Sequence, residues 1–310
     1  MMQTVEHTPT GWLAFELSVL RRLRFRSVVN PLAGEPDLDV ALKRWGARIN
    51  VNDTAQWAWI KGIARVENNA ERLSAEEVDA LLADVYVPGY RLRNPALARW
   101  FGELDAWWFD NLRAAVEQLA GDVKQALALA LGMAVGDYAL SFDAESRELR
   151  QPLSRVFRRL WETWPAPVNN NQRNVAVNRD PRQFLAEERA DLLFLRLPRA
   201  LRNGARRNAL AAWREEWVRG TDEFWSEFER ARAGKLDAPV ETKQQYLRLV
   251  EDLLATATHM RAWAIAHTET GLITTEELVE TIRRVRKVET IYTKDFSELM
   301  GARAAIITAL

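Results

Sequence analysis

Residues 25–54 read FRSVVNPLAGEPDLDVALKRWGARINVNDT, and this stretch restricts the fold more than any other. A β-rich run over 25–30 ends in a Pro/Gly turn. Leu38, Val40, Ala41, Leu42 and Trp45 then recur at helical spacing until Gly46 stops the helix, and ARINVNDT returns to strand character. The three pieces make a βαβ unit of ordinary length. Its ligand-facing turn falls at residues 31–36, where an open α/β sheet exposes the carboxyl end of its first strand.

From about residue 54 to 165 the pattern is helical, with Ser74 and Glu77 spaced as a capping box and an alanine- and leucine-rich stretch around QALALALGMAV suited to a buried helix. Strand signals return at 173–178 and 191–197, separated by RDPRQFLAEERA, which is short enough for one helix. Amphipathic helices follow in ARRNALAAWREEWVRGTDEFWSEFERARAG and ETKQQYLRLVEDLLATA. MRAWAIAHT, KVETIYTKDF and RAAIITAL have strand character, and Thr274 with Glu277 caps a helix between the first two of them. The last of these runs is expected to lie inside the sheet. The predicted fold is therefore α/β and Rossmann-like, with a mixed, mostly parallel sheet. Residues 1–70 and 166–310 are assigned to the α/β domain and 71–165 to a helical insertion.

Composition removes several classes of function. No cysteine is present, which excludes disulfides, thiolate metal sites and cysteine nucleophiles. His7, His259 and His267 lack metal-ligand spacing, so no metal is expected. No stretch approaches the roughly 20 apolar residues of a membrane span, and the opening segment lacks the pattern of a secretory signal, so a cytoplasmic location is expected. The 43 basic and 43 acidic residues cancel, so any nucleic-acid surface has to be local.

The order of these elements, the turn NPLAGEP, the strand ending in VND and the run ADLLFLRLPR together resemble the D12 class of N6-adenine DNA methyltransferases, the Dam-like enzymes. The resemblance implies a class I methyltransferase fold. It implies that a turn like DPFAGSG approaches S-adenosylmethionine, that acids after the second and third strands hold the ribose and lie near the adenine, and that DPPY after the fourth strand receives a flipped target base. It also makes the helical insertion a target-recognition domain.

Carried onto this sequence, the resemblance is partial. Asn30, Pro31, Ala33 and Gly34 follow the cofactor turn, and Asp53 and Asp180 fall at the two acidic positions, where both are equally well placed to cap helices. Glu35 stands at the family's serine and Pro36 at its last glycine. Proline fixes φ and removes an N–H, and a carboxylate ~4 Å from that of the cofactor would be repelled by on the order of 4 kcal/mol at an effective dielectric near 20. The family's Gly-Lys signature is missing after Gly11, where Trp12 follows. At the DPPY position stand Arg196, Leu197, Pro198 and Arg199. Arginine cannot accept a hydrogen bond from the adenine amino group, and its charge opposes both the sulfonium and the developing cation of the transition state. No catalytic residue and no bound cofactor are expected.

Two readings stay open. In the first, the chain is a pseudoenzyme that binds nucleic acid or a protein partner such as an active methyltransferase. Arg196, Arg199, Arg202, Arg206, Arg207 and Arg214 would then form a phosphate-binding cluster, against the alternative of a solvated helix face. Trp107, Trp108, Trp213 and Trp217 are candidates for an apolar patch, against the alternative of core packing. In the second reading the chain is a divergent, active S-adenosylmethionine-dependent adenine-specific DNA methyltransferase that uses Asp53 and Asp180.

Overall fold

The structure, a computed structural model, describes residues 11–143, 145–199, 208–269 and 272–310. Among these, β1 (Ser27–Asn30), β2 (Arg48–Asn52), β3 (Val175–Val177), β4 (Leu192–Arg196), β5 (Ala262–Thr268), β6 (Val288–Phe296) and β7 (Ala302–Ala309) form one sheet in the order β3-β2-β1-β4-β5-β7-β6. β1 to β5 pair in parallel, and β7 runs antiparallel between β5 and β6. The arrangement is Rossmann-like, as the sequence predicts. Strand order reverses between β1 and β4, both of which are neighbours of β1's carboxyl-end turn. By the general rule for open α/β sheets, that crevice is where a ligand would lie.

The described helices are α1 (Trp12–Leu20), α2 (Asp37–Arg44), α3 (Gln56–Gly62), α4 (Ala75–Leu82), α5 (Glu103–Val116), α6 (Asp122–Leu140) and α7 (Leu153–Glu162), then α8 (Pro181–Glu187), α9 (Ala209–Arg219), α10 (Trp225–Arg232), α11 (Lys243–Ala255), α12 (Thr275–Arg283) and α13 (Ser297–Met300). A π-helical turn, Ile63–Glu67, extends α3. The capping boxes of α4 and α12 form as their sequences predict, with Ser74 and Thr274 each accepting from the backbone N–H of the glutamate three residues on. None of the described helices is long and apolar enough to cross a membrane.

Both faces of the sheet are buried at β4, which explains why that strand reads as a nearly continuous apolar run, whereas the edge strand β6 is largely exposed. Alternation along that run divides its side chains. Leu192 and Phe194 join a core with α1, α2 and the helical block, while Leu193, Leu195 and Leu197 join a second core with α8, α11 and α12. The first core is continuous from the sheet into the helical block, where Val28 and Ile49 share it with Trp108, Phe109, Leu131 and Trp217. Trp107, Trp108, Trp213 and Trp217 are all buried, so the expectation of an apolar surface patch from these four is corrected. The indoles of Trp213 and Trp217 pack between α5, α6 and α9, that of Trp108 packs on Phe157 of α7, and that of Trp107 lies against Gly89, so the apolar area of each is removed from water.

Candidate functional site

The turn after β1 closes on itself. Gly34 adopts φ 57°, in the left-handed region that favours glycine, and its N–H donates to Asp53 Oδ2 at 2.9 Å. Asp53 Oδ1 accepts from Ala55 N at 2.8 Å. Asn52 ties three strand ends together, donating from Nδ2 to Pro31 O and Arg179 O and accepting from Arg179 N. Burial pushes the Asp53 carboxyl up to about 6, against the two N–H groups that favour its ionised form. Asp180 accepts from Arg182 N and Gln183 N at the start of α8 and pairs with Lys235 at 2.7 Å. Burial would raise that carboxyl, but Lys235 and the N–H donors outweigh it and hold it below the usual range. Both acids are therefore engaged by the protein's own backbone.

Glu35 is met by two cations. Lys61 Nζ lies 2.7 Å from one of its oxygens and Arg214 Nη1 lies 2.8 Å from the same oxygen. Arg214 also pairs with Asp137 of α6 and lies 4.9 Å from the ring centroid of Trp57, with Lys61 at 5.3 Å. Burial would raise the Glu35 carboxyl, yet Lys61 and Arg214 hold it below its ordinary value. The neighbouring Glu215 accepts from Gln56 N and Trp57 N at the start of α3 and from Arg219 Nε. Thr54 donates to Asp237, which Arg232 also pairs. A recess of about 10 Å³ lies between Leu32, Asp180, Lys235, Asp237 and Leu249. That is room for one water at most.

The arginine at the end of β4 turns inward. Arg196 shares the strand face of Leu192 and Phe194, and there it meets α1: its Nε and Nη2 donate to the two oxygens of Glu16 at 2.9 and 2.8 Å. Glu16 is fully buried and also accepts from Trp12 Nε1 at 2.6 Å. Behind this pair, Asn30 Nδ2 donates to Asp39, whose carboxyl burial pushes up to about 7 in spite of Asn30 and the charge of Arg196. Asn30 Oδ1 is buried without a partner. Leu197 is buried, and Pro198 O accepts from Tyr246 Oη at 2.6 Å.

The expected phosphate-binding cluster is therefore redistributed. Arg196 and Arg214 are held inside by carboxylates. Arg199 is exposed, and Arg202, Arg206 and Arg207 lie outside the described residues. The structure adds Glu16, Asp39, Lys61 and Asp137, which the sequence reading did not single out. Glu16 carried a signal: it falls at a buried position of α1 with Trp12, Phe15, Val19 and Leu20, so a carboxylate stands on an apolar stripe. Asp39 is likewise buried on α2, with the buried Leu42 and Lys43 three and four residues on.

Comparison of the chain with models of known protein families finds no match, and no curated protein matches it in sequence.

Proposed function

We propose that the chain is a catalytically inactive relative of the Dam-like N6-adenine DNA methyltransferases, acting as a nucleic-acid-binding or partner-binding subunit. The carrying observation is the bidentate pair of Arg196 with Glu16, at the place where the resemblance puts the acid that accepts from the target adenine. A guanidinium held this way cannot take that hydrogen bond and stays charged. The surroundings of Gly34 support the same reading. Asp53 is engaged by the turn itself, Glu35 is fixed by Lys61 and Arg214, and the recess beside Leu32 has room for about 10 Å³. A mixed, mostly parallel sheet with helices inserted between β2 and β3 fits the methyltransferase-like scaffold that the resemblance implies.

The test is isothermal titration of the protein with S-adenosylmethionine and with its demethylated product. Neither ligand is expected to release heat at millimolar concentration. Saturable binding accompanied by methyl transfer to adenine would replace this reading with that of a divergent active enzyme.

A further inference from the structure

The segment joining α1 to β1, residues 21–26, reads RRLRFR, with four arginines in six positions. Arg21, Arg22, Arg24 and Arg26 are all exposed, and among the described residues none has a carboxylate within ion-pair distance of its guanidinium. Asp191, just before β4, accepts from the backbone N–H of Arg26 at 2.7 Å. Arg44, at the end of α2, is also exposed and without an ion pair among the described residues, and Arg48 N donates to Arg26 O at 2.9 Å, which sets Arg48 beside Arg26. A chain of zero net charge thus carries a local run of cations that it does not neutralise itself.

Two aromatic rings belong to the same surface. The Arg21 guanidinium lies 5.3 Å from the ring centroid of Trp45, which is 38% exposed, and that of Arg22 lies 5.1 Å from Tyr292. Stacking on a ring holds a guanidinium plane in place while leaving its N–H edge turned to other acceptors. Arg24, Arg26, Arg44 and Trp45 sit at the amino ends of β1 and β2, the end of the sheet opposite the turn that Gly34 and Asp53 close, and Arg22 reaches from there toward Tyr292, midway along the edge strand β6.

We propose that this patch is a nucleic-acid-binding surface, which takes phosphates on Arg21, Arg22, Arg24 and Arg26 and bases against the guanidinium–aromatic contacts at Trp45 and Tyr292. Fixed guanidinium forks match phosphate oxygens, and stacked planes beside them suit unpaired bases, so single strands are the preferred form. The inference rests on the reading of the chain as a nucleic-acid-binding subunit, and it puts the contact on arginines other than the carboxylate-bound Arg196 and Arg214.

The experiment is fluorescence anisotropy of a labelled single-stranded DNA oligonucleotide with the full chain, the Arg22→Glu/Arg24→Glu/Arg26→Glu variant and the milder Arg22→Gln/Arg24→Gln/Arg26→Gln variant. An Arg155→Glu/Arg159→Glu variant, altered on exposed arginines of α7, serves as the control, and thermal melts check folding of each. The charge-reversal triple is expected to raise Kd more than ~10-fold. The glutamine triple should flatten the plot of log K against log salt by about 2, given a slope near −0.7 per phosphate contact for single strands. An unchanged Kd in the folded glutamine triple, an equal loss in the control, or binding of the full chain to phosphatidylserine vesicles and not to DNA would each overturn the proposal. The methyltransferase-like reading has a separate readout, because titration with S-adenosylmethionine probes the other end of the sheet.

Discussion

The indole of Trp213 fills the space that a Cβ on Gly136 would need: such an atom would lie 2.2 Å from the ring. One helical turn away the relationship repeats, with Trp217 at 2.1 Å from a Cβ built on Gly132. Two glycines four apart on α6 thus receive two tryptophans four apart on α9, and the helices approach closely along that line. Trp217 Nε1 donates to Phe109 O and Trp213 Nε1 to Asp137, so the buried indole donors are also satisfied.

Alanine at Gly132 or Gly136 is therefore expected to destabilise the protein, although alanine is the better helix former by about 1 kcal/mol. The overpacked methyl should outweigh that gain with a loss of at least ~1–3 kcal/mol. Urea denaturation midpoints of Gly132→Ala and Gly136→Ala would measure it. A midpoint at or above that of the parent would show that the two helices can separate at no expense.

Removing Glu16 strands a cation. Arg196 keeps 27% side-chain exposure, so the expected loss for Glu16→Gln is near the lower end for a broken buried pair, about 3 kcal/mol. The double variant Glu16→Gln/Arg196→Met should recover part of that loss, because no unpaired charge remains. A double-mutant cycle in urea gives the coupling directly. Additive effects would mean that the pair contributes nothing beyond its separate side chains.

Asp39 and Asp53 contribute a pH dependence opposite in sign to that of His267, whose imidazole burial holds below its ordinary value. Their carboxyls titrate near 7 and 6 in the folded protein and near 3.8 when unfolded, so between these values the folded state binds more protons. Stability from these two groups is then fully present below about pH 4 and falls as pH rises toward 7. The shift at Asp39 corresponds to at most ~4 kcal/mol. Asp39→Asn, which imitates the protonated form, is expected to stabilise the protein at pH 8 and to change little at pH 4. Denaturation midpoints at the two pH values decide it, and a gain of equal size at both would assign the effect to packing.

Local chemistry made much of the fold legible. The strand over 25–30 forms as Ser27–Asn30, the run 191–197 forms as Leu192–Arg196, and the glutamate-backed caps at Ser74 and Thr274 appear where their spacing puts them. Each of these signals acts over a few residues. The site was legible only where its partners are near in sequence, as with Asp180 at the start of α8. Arg196 and Arg214 looked like surface cations because the carboxylates that claim them are remote, Glu16 at 180 positions and Asp137 at 77. Alternation along β4 does place Arg196 on the α1 face, but only the folded arrangement reveals a buried acid waiting there.

The position of β7 has a consequence for the order of events during synthesis. Among the described residues β6 hydrogen-bonds to the sheet through β7 alone, which is made later and inserts between β5 and β6. As the polypeptide leaves the ribosome, Val288–Phe296 emerges as a strand with no neighbour to join, and it must wait until Ala302–Ala309 has followed it out and docked on β5.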